Sequence, residues 1–199
     1  FRMLFLNNSV TEDCGNRSVS VNQQSCTMTE HAAEIFSDVR RVLGVDEHRY
    51  ALALGGSSHT THDMKSTNMR YIGTPKASGK SSAWFLVTSD MQYFLKTCSA
   101  EESDLLVELL PGYLSVVSSR LTLLPRFCGL YTLSFPGWNI RFFVVVNVFA
   151  ASIPIQKRYD LKGSTHGRRA QEMSNSPVTF KDVDLLSHGR RLEIESLEQ

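Results

Sequence analysis

Arg158-Tyr159-Asp160-Leu161-Lys162-Gly163-Ser164-Thr165-His166-Gly167-Arg168-Arg169 sets four cations, two glycines and two small hydroxyls around a single carboxylate, Asp160. Phosphate binding draws on this mixture. Lysine supplies a point charge, arginine a planar fork, and glycine lets backbone N–H groups come close to an oxyanion. A basic, solvated surface turn has the same composition. Residue types alone leave both readings open, and the neighbours of the stretch have to separate them.

Upstream, residues 140–148 are apolar at nearly every position, which predicts a strand in the middle of a sheet. It ends in Val146-Asn147-Val148-Phe149. Before it, Phe127, Gly129 and Tyr131 alternate along a second strand over 124–133, and Phe135-Pro136-Gly137-Trp138-Asn139 makes the turn between the two. Residues 157–162 read as a short strand that carries the basic motif. From Gln171 the chain is polar, with one apolar patch at Phe180, Val183, Leu185 and Leu186.

A further cation stands out nearer the middle of the chain. Ala77-Ser78-Gly79-Lys80-Ser81-Ser82 is a small, polar loop running into a β-rich segment, 83–88. A turn at Ser89-Asp90 and a second segment, 92–97, complete a predicted hairpin. Gly79-Lys80-Ser81 resembles part of a P-loop, but Thr74 stands where the first glycine would be and a strand follows instead of a helix. The P-loop is therefore excluded. Lys96 lies on the second strand among Tyr93, Phe94 and Leu95, where a charge must find a partner or reach solvent. A helix begins near Ala100, with Ser99 as N-cap and acids in its first turn. Leu105, Leu106, Leu109 and Leu110 give its expected buried face, and Pro111-Gly112 an expected pause. Glu102 is the first choice as partner for Lys96, Asp104 the second.

Towards the N-terminus, residues 1–28 are rich in Asn, Ser, Thr and Gln without a sustained period, and are expected to form a loose leader with a short strand over 2–6. From Thr29, Ala32, Ile35, Phe36, Val39, Val42 and Leu43 recur at helical spacing. Thr27 with Glu30 would form the capping box and Gly44 the stop. A second short helix is expected to end before Gly55. His59 and His62 in a polar loop make only a weak metal site, and no metal ligand is assigned.

The 199 residues are 42% hydrophobic and 21% charged, with a net charge of +1. Such a chain is long enough for one sizeable core or two small lobes. Near-neutral charge and few aromatics within the basic stretch argue against a nucleic-acid binder. The longest apolar run, 142–151, is too short to span a bilayer, which needs about 20 residues. Cys14, Cys26, Cys98 and Cys128 lack metal or disulfide spacing and are expected to be reduced. No signal peptide pattern is present, and because the chain opens on Phe1 its natural N-terminus is expected upstream.

The order of these segments resembles that of the phosphatidylinositol phosphate kinases. Asp160-Leu161-Lys162-Gly163-Ser164, with Arg168 four residues on, is similar to the family signature. Ile35-Phe36, Val39-Arg40 and Gly44-Val45-Asp46 resemble its early helix and turn. Ala77-Ser78-Gly79-Lys80-Ser81 looks like its nucleotide loop and Phe94-Leu95-Lys96-Thr97 like its lysine strand. Leu109-Leu110-Pro111-Gly112-Tyr113, Leu123-Leu124-Pro125-Arg126-Phe127, Gly129-Leu130-Tyr131 and Phe180-Lys181-Asp182-Val183-Asp184 continue the series, which covers about residues 30–187.

The resemblance implies an α+β fold: a kinase-like N-lobe with an antiparallel β-sheet and packed helices, the C-lobe largely missing, in a domain running from 29 to 199. It implies an ATP-dependent lipid kinase that phosphorylates the inositol ring of a phosphatidylinositol phosphate, with phosphatidylinositol-4-phosphate 5-kinases as the nearest pattern. Gly79, Ser81 and Ser82 would cover the ATP phosphates, Lys96 would bind them, Glu102 would orient Lys96, and Asn147 would line the adenine pocket. Lys162 would lie near the transferring phosphate on the same ATP tail, with Arg168 holding that region or the inositol phosphate. The implied cofactors are ATP and Mg2+, the metal ligands lying outside these residues. The implied partners are phosphoinositide and an anionic membrane, met peripherally from the cytoplasm; a homodimer is compatible with the pattern.

Lys80, Trp84 and Val148 depart from it. The family's Met-Asp-Tyr-Ser-Leu-Leu segment, its metal-binding aspartate and its activation loop have no counterpart in residues 1–199. The chain alone is therefore expected to be inactive, and a non-catalytic module that binds nucleotide or phosphoinositide is the alternative.

Overall fold

The computed structural model describes residues 10–13, 16–21, 26–55, 70–73, 83–150, 154–170 and 178–189. The chain divides into two compact units, 1–150 and 151–199, each described by itself. The expected strand over 2–6, the loop carrying Gly79, Ser81 and Ser82, and His59 with His62 lie outside the described residues.

The described part of the first unit is built on an eight-stranded sheet. Its strands are β1 (Val10–Asp13), β2 (Asn16–Val21), β3 (Cys26–Glu30), β4 (Arg70–Gly73), β5 (Phe85–Val87), β6 (Tyr93–Cys98), β7 (Phe127–Phe135) and β8 (Trp138–Val146). They run in the order β1-β2-β3-β7-β8-β6-β5-β4, every pairing antiparallel. The apolar run falls in β8, in the middle of the sheet, with Phe142 and Val144 buried. Three helices accompany the sheet: α1 (Ala33–Val42), α2 (Glu47–Ala53) and α3 (Ala100–Ser118). The architecture is α+β, as expected of a kinase-like N-lobe.

The segment expected to be a loose leader instead carries β1, β2 and most of β3, so the sheet runs through residue 29. The physical reason is non-local. Thr27, Met28, Thr29 and Glu30 pair with Ser134, Leu133, Thr132 and Tyr131 of β7, and Met28 packs on the core. β-branched and polar residues suit such a half-buried strand but show no period of their own. This pairing also takes Thr27 and Glu30 out of any capping box. The turn into α1 is made by Ala32, in the left-handed region at φ +48°. Gly44, at φ +70°, closes α1 as expected.

Side chains alternate between the two faces of the sheet. Phe36 and Val39 of α1 meet Leu110, Tyr113 and Val117 of α3 over Leu130, with Phe127 and Phe143 against them. On the other face Tyr50, Ala53 and Leu54 pack on Tyr93, Leu95, Tyr131, Phe142 and Val144. The buried stripe of α3 matches the expected one in part: Leu110 is buried and Leu106 packs on the core, but Leu105 and Leu109 are 54% and 55% exposed, and Ser103, Tyr113 and Val117 complete the stripe. That stripe crosses Pro111, so both halves of the helix are anchored to the same core. Pro111 removes one N–H donor, and with residues 107–109 and 111 exposed on that side the helix continues without a pause.

One buried charge links the layers. The Arg40 guanidinium donates to Glu30 Oε1 at 2.9 Å, to Glu47 Oε1 at 2.7 Å and to the Cys128 carbonyl at 2.8 Å, over the ring of Tyr50. The Tyr131 hydroxyl donates to the same Glu30 oxygen at 3.2 Å and lies 3.0 Å from that of Tyr50. Burial alone would lower the Arg40 pKa; the Glu47 hydrogen bond and the surrounding charges more than offset it, and the net shift is upward. The register of β7 against β8 slips between Phe127 and Gly129, a bulge at Cys128 beside this network.

The second unit is small. β9 (Arg158–Asp160) pairs in parallel with β10 (Thr179–Lys181), and α4 (Asp182–Ser187) follows directly. Tyr159, Phe180 and His188 form its aromatic cluster, with ring centroids 5.0 to 6.1 Å apart.

Candidate functional site

Lys96 sits inside β6, opposite Phe85 of β5 and Phe143 of β8. Its ammonium lies 5.2 Å from the Phe143 ring centroid, on the face covered by α3. Glu102 Oε1 is 3.8 Å from it, with side-chain exposures of 26% for the lysine and 56% for the glutamate. Glu102 is placed by the start of α3 itself. Its Oε2 accepts the Ser99 N–H at 2.9 Å, while the Ser99 hydroxyl accepts the Glu102 N–H at 3.2 Å, a reciprocal capping box. Asp104, the second choice, instead lies 3.8 Å from Arg141. Lys96 is thus fixed by a strand, a ring and a capped helix, and a quarter of its side chain still meets solvent. An ammonium held in this way suits the oxygens of a polyphosphate.

The hairpin ahead of Lys96 is extended past β5: Thr97 and Trp84 exchange backbone and side-chain bonds at 3.0 and 2.7 Å. Asn147 lies buried at the end of β8. Its N–H donates to the Gln92 carbonyl at 2.7 Å, Nδ2 donates to the Met91 carbonyl at 2.6 Å, and Oδ1 accepts the Phe149 N–H at 2.9 Å. The Asn147 side chain therefore ties the strand end to the β5–β6 turn. Beyond it Val148 is 65% exposed.

In the second unit the residues singled out by sequence, Lys162 and Arg168, are organised by one that was not. Asp182 Oδ1 accepts the N–H groups of Lys162 and Gly163 at 2.9 and 2.8 Å, and its Oδ2 accepts Arg168 Nε at 2.8 Å. Arg168 also donates to the Asp160 carbonyl and lies 3.2 Å from the Asp160 carboxylate. Asp184 Oδ2 accepts the N–H groups of Ala170 and Lys181 at 2.8 and 2.9 Å. The Arg168 hydrogen bond, with the two amides, holds the Asp182 carboxyl well below the usual range; Asp182 in turn raises the Arg168 pKa. The Arg168 guanidinium is committed within the protein, whereas the Lys162 side chain is exposed and has no ion-pair partner among the described residues. Phe180-Lys181-Asp182-Val183-Asp184 was visible as a family-like segment, and that was the only signal for Asp182. Among the described residues no three His, Cys, Asp or Glu side chains converge on a common metal position.

The family model for "Phosphatidylinositol-4-phosphate 5-Kinase" matches residues 66–199. The chain belongs to this family. Its match runs from the segment preceding β4 through the lysine strand, the capped helix and the second unit. Among curated relatives, human "Phosphatidylinositol 4-phosphate 5-kinase type-1 beta" is 45% identical over 118 residues, covering 58% of this chain and 21% of the relative. A "probable phosphatidylinositol phosphate kinase" of Dictyostelium discoideum is 33% identical over 167 residues, covering 82% of this chain and 22% of the relative. The type-1 alpha protein of Rattus norvegicus is 43% identical over 112 residues, covering 55% and 20%. The chain thus spans about a fifth of the length of these 5-kinase-family relatives.

Proposed function

We propose that these residues form the nucleotide-binding lobe and phosphate-handling junction of an ATP-dependent lipid kinase acting on the inositol ring of a phosphatidylinositol phosphate. The observation that carries this is the pairing of Lys96 on β6 with Glu102 at the capped start of α3. Bound ATP with Mg2+ would supply the transferable phosphoryl group and neutralise charge on it. Lys96 would hold phosphate oxygens, and Glu102 would keep its ammonium from swinging away. Gly79, Ser81 and Ser82 would close over the same phosphates with N–H and O–H donors. The chain beyond Asn147 would line the adenine pocket. In the second unit Lys162 would present its ammonium to the phosphoryl group in transfer, with Arg168 holding that loop. Phosphoryl transfer depends chiefly on such positioned cations, since charge spreads over the equatorial oxygens. Lys157, Arg158, Lys162 and Arg169 would meet an anionic membrane surface, at about 1 kcal/mol per cation, and the protein would then act peripherally on the cytosolic face.

The test is phosphoryl transfer from labelled ATP to vesicles containing phosphatidylinositol 4-phosphate, by the protein that carries these residues. Transfer that disappears in Lys96→Met supports the proposal. Vesicle or nucleotide binding without any transfer would favour a non-catalytic phosphoinositide-binding module.

A further inference from the structure

The 162–168 loop holds a functional cation, Lys162, yet its exposed residues do not explain its shape. Gly163 and Gly167 adopt φ +71° and +64°, and the loop returns so that Arg168 N–H reaches the Thr165 carbonyl at 3.3 Å. The loop is clamped instead from the start of α4. A single carboxylate, Asp182, takes two consecutive amides at its start and the guanidinium at its end. Val183 N–H adds a bond to the Arg168 carbonyl at 3.0 Å. Asp182 is buried, so the three donors have little solvent to compete with them. Arg168 meanwhile spends its Nε and one terminal nitrogen on Asp182 and Asp160.

We propose that Asp182 is a positioning residue for phosphoryl transfer, fixing the backbone beneath Lys162, and that Arg168 acts as the strut of this clamp and not as a phosphate ligand. The proposal rests on the reading of Lys162 as a phosphate-binding cation. Removing Asp182 releases two N–H groups and leaves Arg168 facing Asp160 alone. The ammonium of Lys162 then wanders relative to the position it must hold. Misplacement of a reacting group by about 1 Å can cost about 100-fold in rate. Because the clamp touches no substrate, the loss falls on kcat with KM for ATP and lipid nearly unchanged.

Two readouts on the protein test it: hydrogen exchange at the Lys162 and Gly163 amides, and the split of kcat against KM on phosphatidylinositol 4-phosphate vesicles. In Asp182→Ala both amides exchange at least about tenfold faster while Tyr159 and Phe180 in the strands keep their protection. If Asp182→Ala unfolds the unit, Asp182→Ser, which stays polar but is too short to hold both amides and the guanidinium, gives the same comparison. Unchanged exchange at Lys162 and Gly163 overturns the clamp. The double variant Asp182→Ala with Arg168→Ala is no slower than the worse single variant if Arg168 is a strut. A further multiplicative loss means that Arg168 touches phosphate itself, and overturns that part. Lys162→Ala with undiminished kcat would refute the phosphate role of Lys162 separately, since the exchange result does not depend on it.

Discussion

Glu102 serves Lys96 and its own helix at once: one carboxylate oxygen lies 3.8 Å from the Lys96 ammonium and the other accepts the Ser99 amide at 2.9 Å. The first residue pair of the proposed phosphate site is therefore built into the start of α3. Any tilt of that helix moves the carboxylate, and with it the lysine.

This double duty can be separated by substitution. Glu102→Gln keeps an oxygen for the Ser99 amide and loses the ion pair, which is partly exposed and worth about 0–1 kcal/mol. Glu102→Ala also loses half of the capping box, costing about 1 kcal/mol more. Denaturant unfolding should rank wild type, Gln and Ala in that order. Equal stability of the Gln and Ala variants would show that the cap contributes nothing.

Arg40 is the residue whose loss should hurt folding most. Arg40→Met leaves Glu30 buried without its cation and the Cys128 carbonyl without a donor, at about 3–5 kcal/mol. The midpoint of unfolding should fall accordingly with the slope unchanged. A drop below about 1 kcal/mol would mean that the network is solvated.

Gly129 lies beside the bulge, where a Cβ would stand 2.5 Å from the Tyr131 ring and 2.6 Å from the Tyr50 hydroxyl. Both rings belong to the packed core and have little room to retreat. Gly129→Ala should cost about 1–3 kcal/mol through overpacking, read from thermal unfolding. A neutral result would show that the tyrosines yield.

The Asp182 clamp carries a pH signature. Its folded carboxyl is held down first by the Arg168 hydrogen bond, against the opposing effect of burial, and then by the Lys162 and Gly163 amides. A lowered carboxyl stabilises the fold fully above its unfolded value of about 3.9 and loses that contribution as pH falls through the lower folded value. Protection of the 162–163 amides should thus persist to pH 4 and fail only below it. In Asp182→Asn the step below pH 4 should vanish; a step near pH 6 would point to a histidine instead.

Much of this arrangement was legible in the sequence because its signals are local. The apolar run at 140–148, the hairpin ahead of Lys96 and the acidic first turn after Ser99 each specify their own element. What stayed hidden depends on distant partners. Residues 16–21 and 26–30 have no period to reveal strands, since β3 takes its register from β7 and β2 from β3. In α3 the expected leucine face is half right: Leu106 and Leu110 face the core while Leu105 and Leu109 are exposed, and Ser103, Tyr113 and Val117 complete a stripe that continues past Pro111. Asp182 was visible only as part of a family-like segment and not as a clamp, because the two amides and the guanidinium that it holds lie 14 to 20 residues earlier.

The most direct measurement is the affinity of the protein for Mg·ATP by titration calorimetry, wild type against Lys96→Met. A charge-assisted hydrogen bond to phosphate is worth about 1.5–3 kcal/mol, so the variant should bind about 10- to 100-fold more weakly while unfolding at a similar temperature. Equal affinity in the two proteins would contradict the assignment of Lys96 as the phosphate ligand.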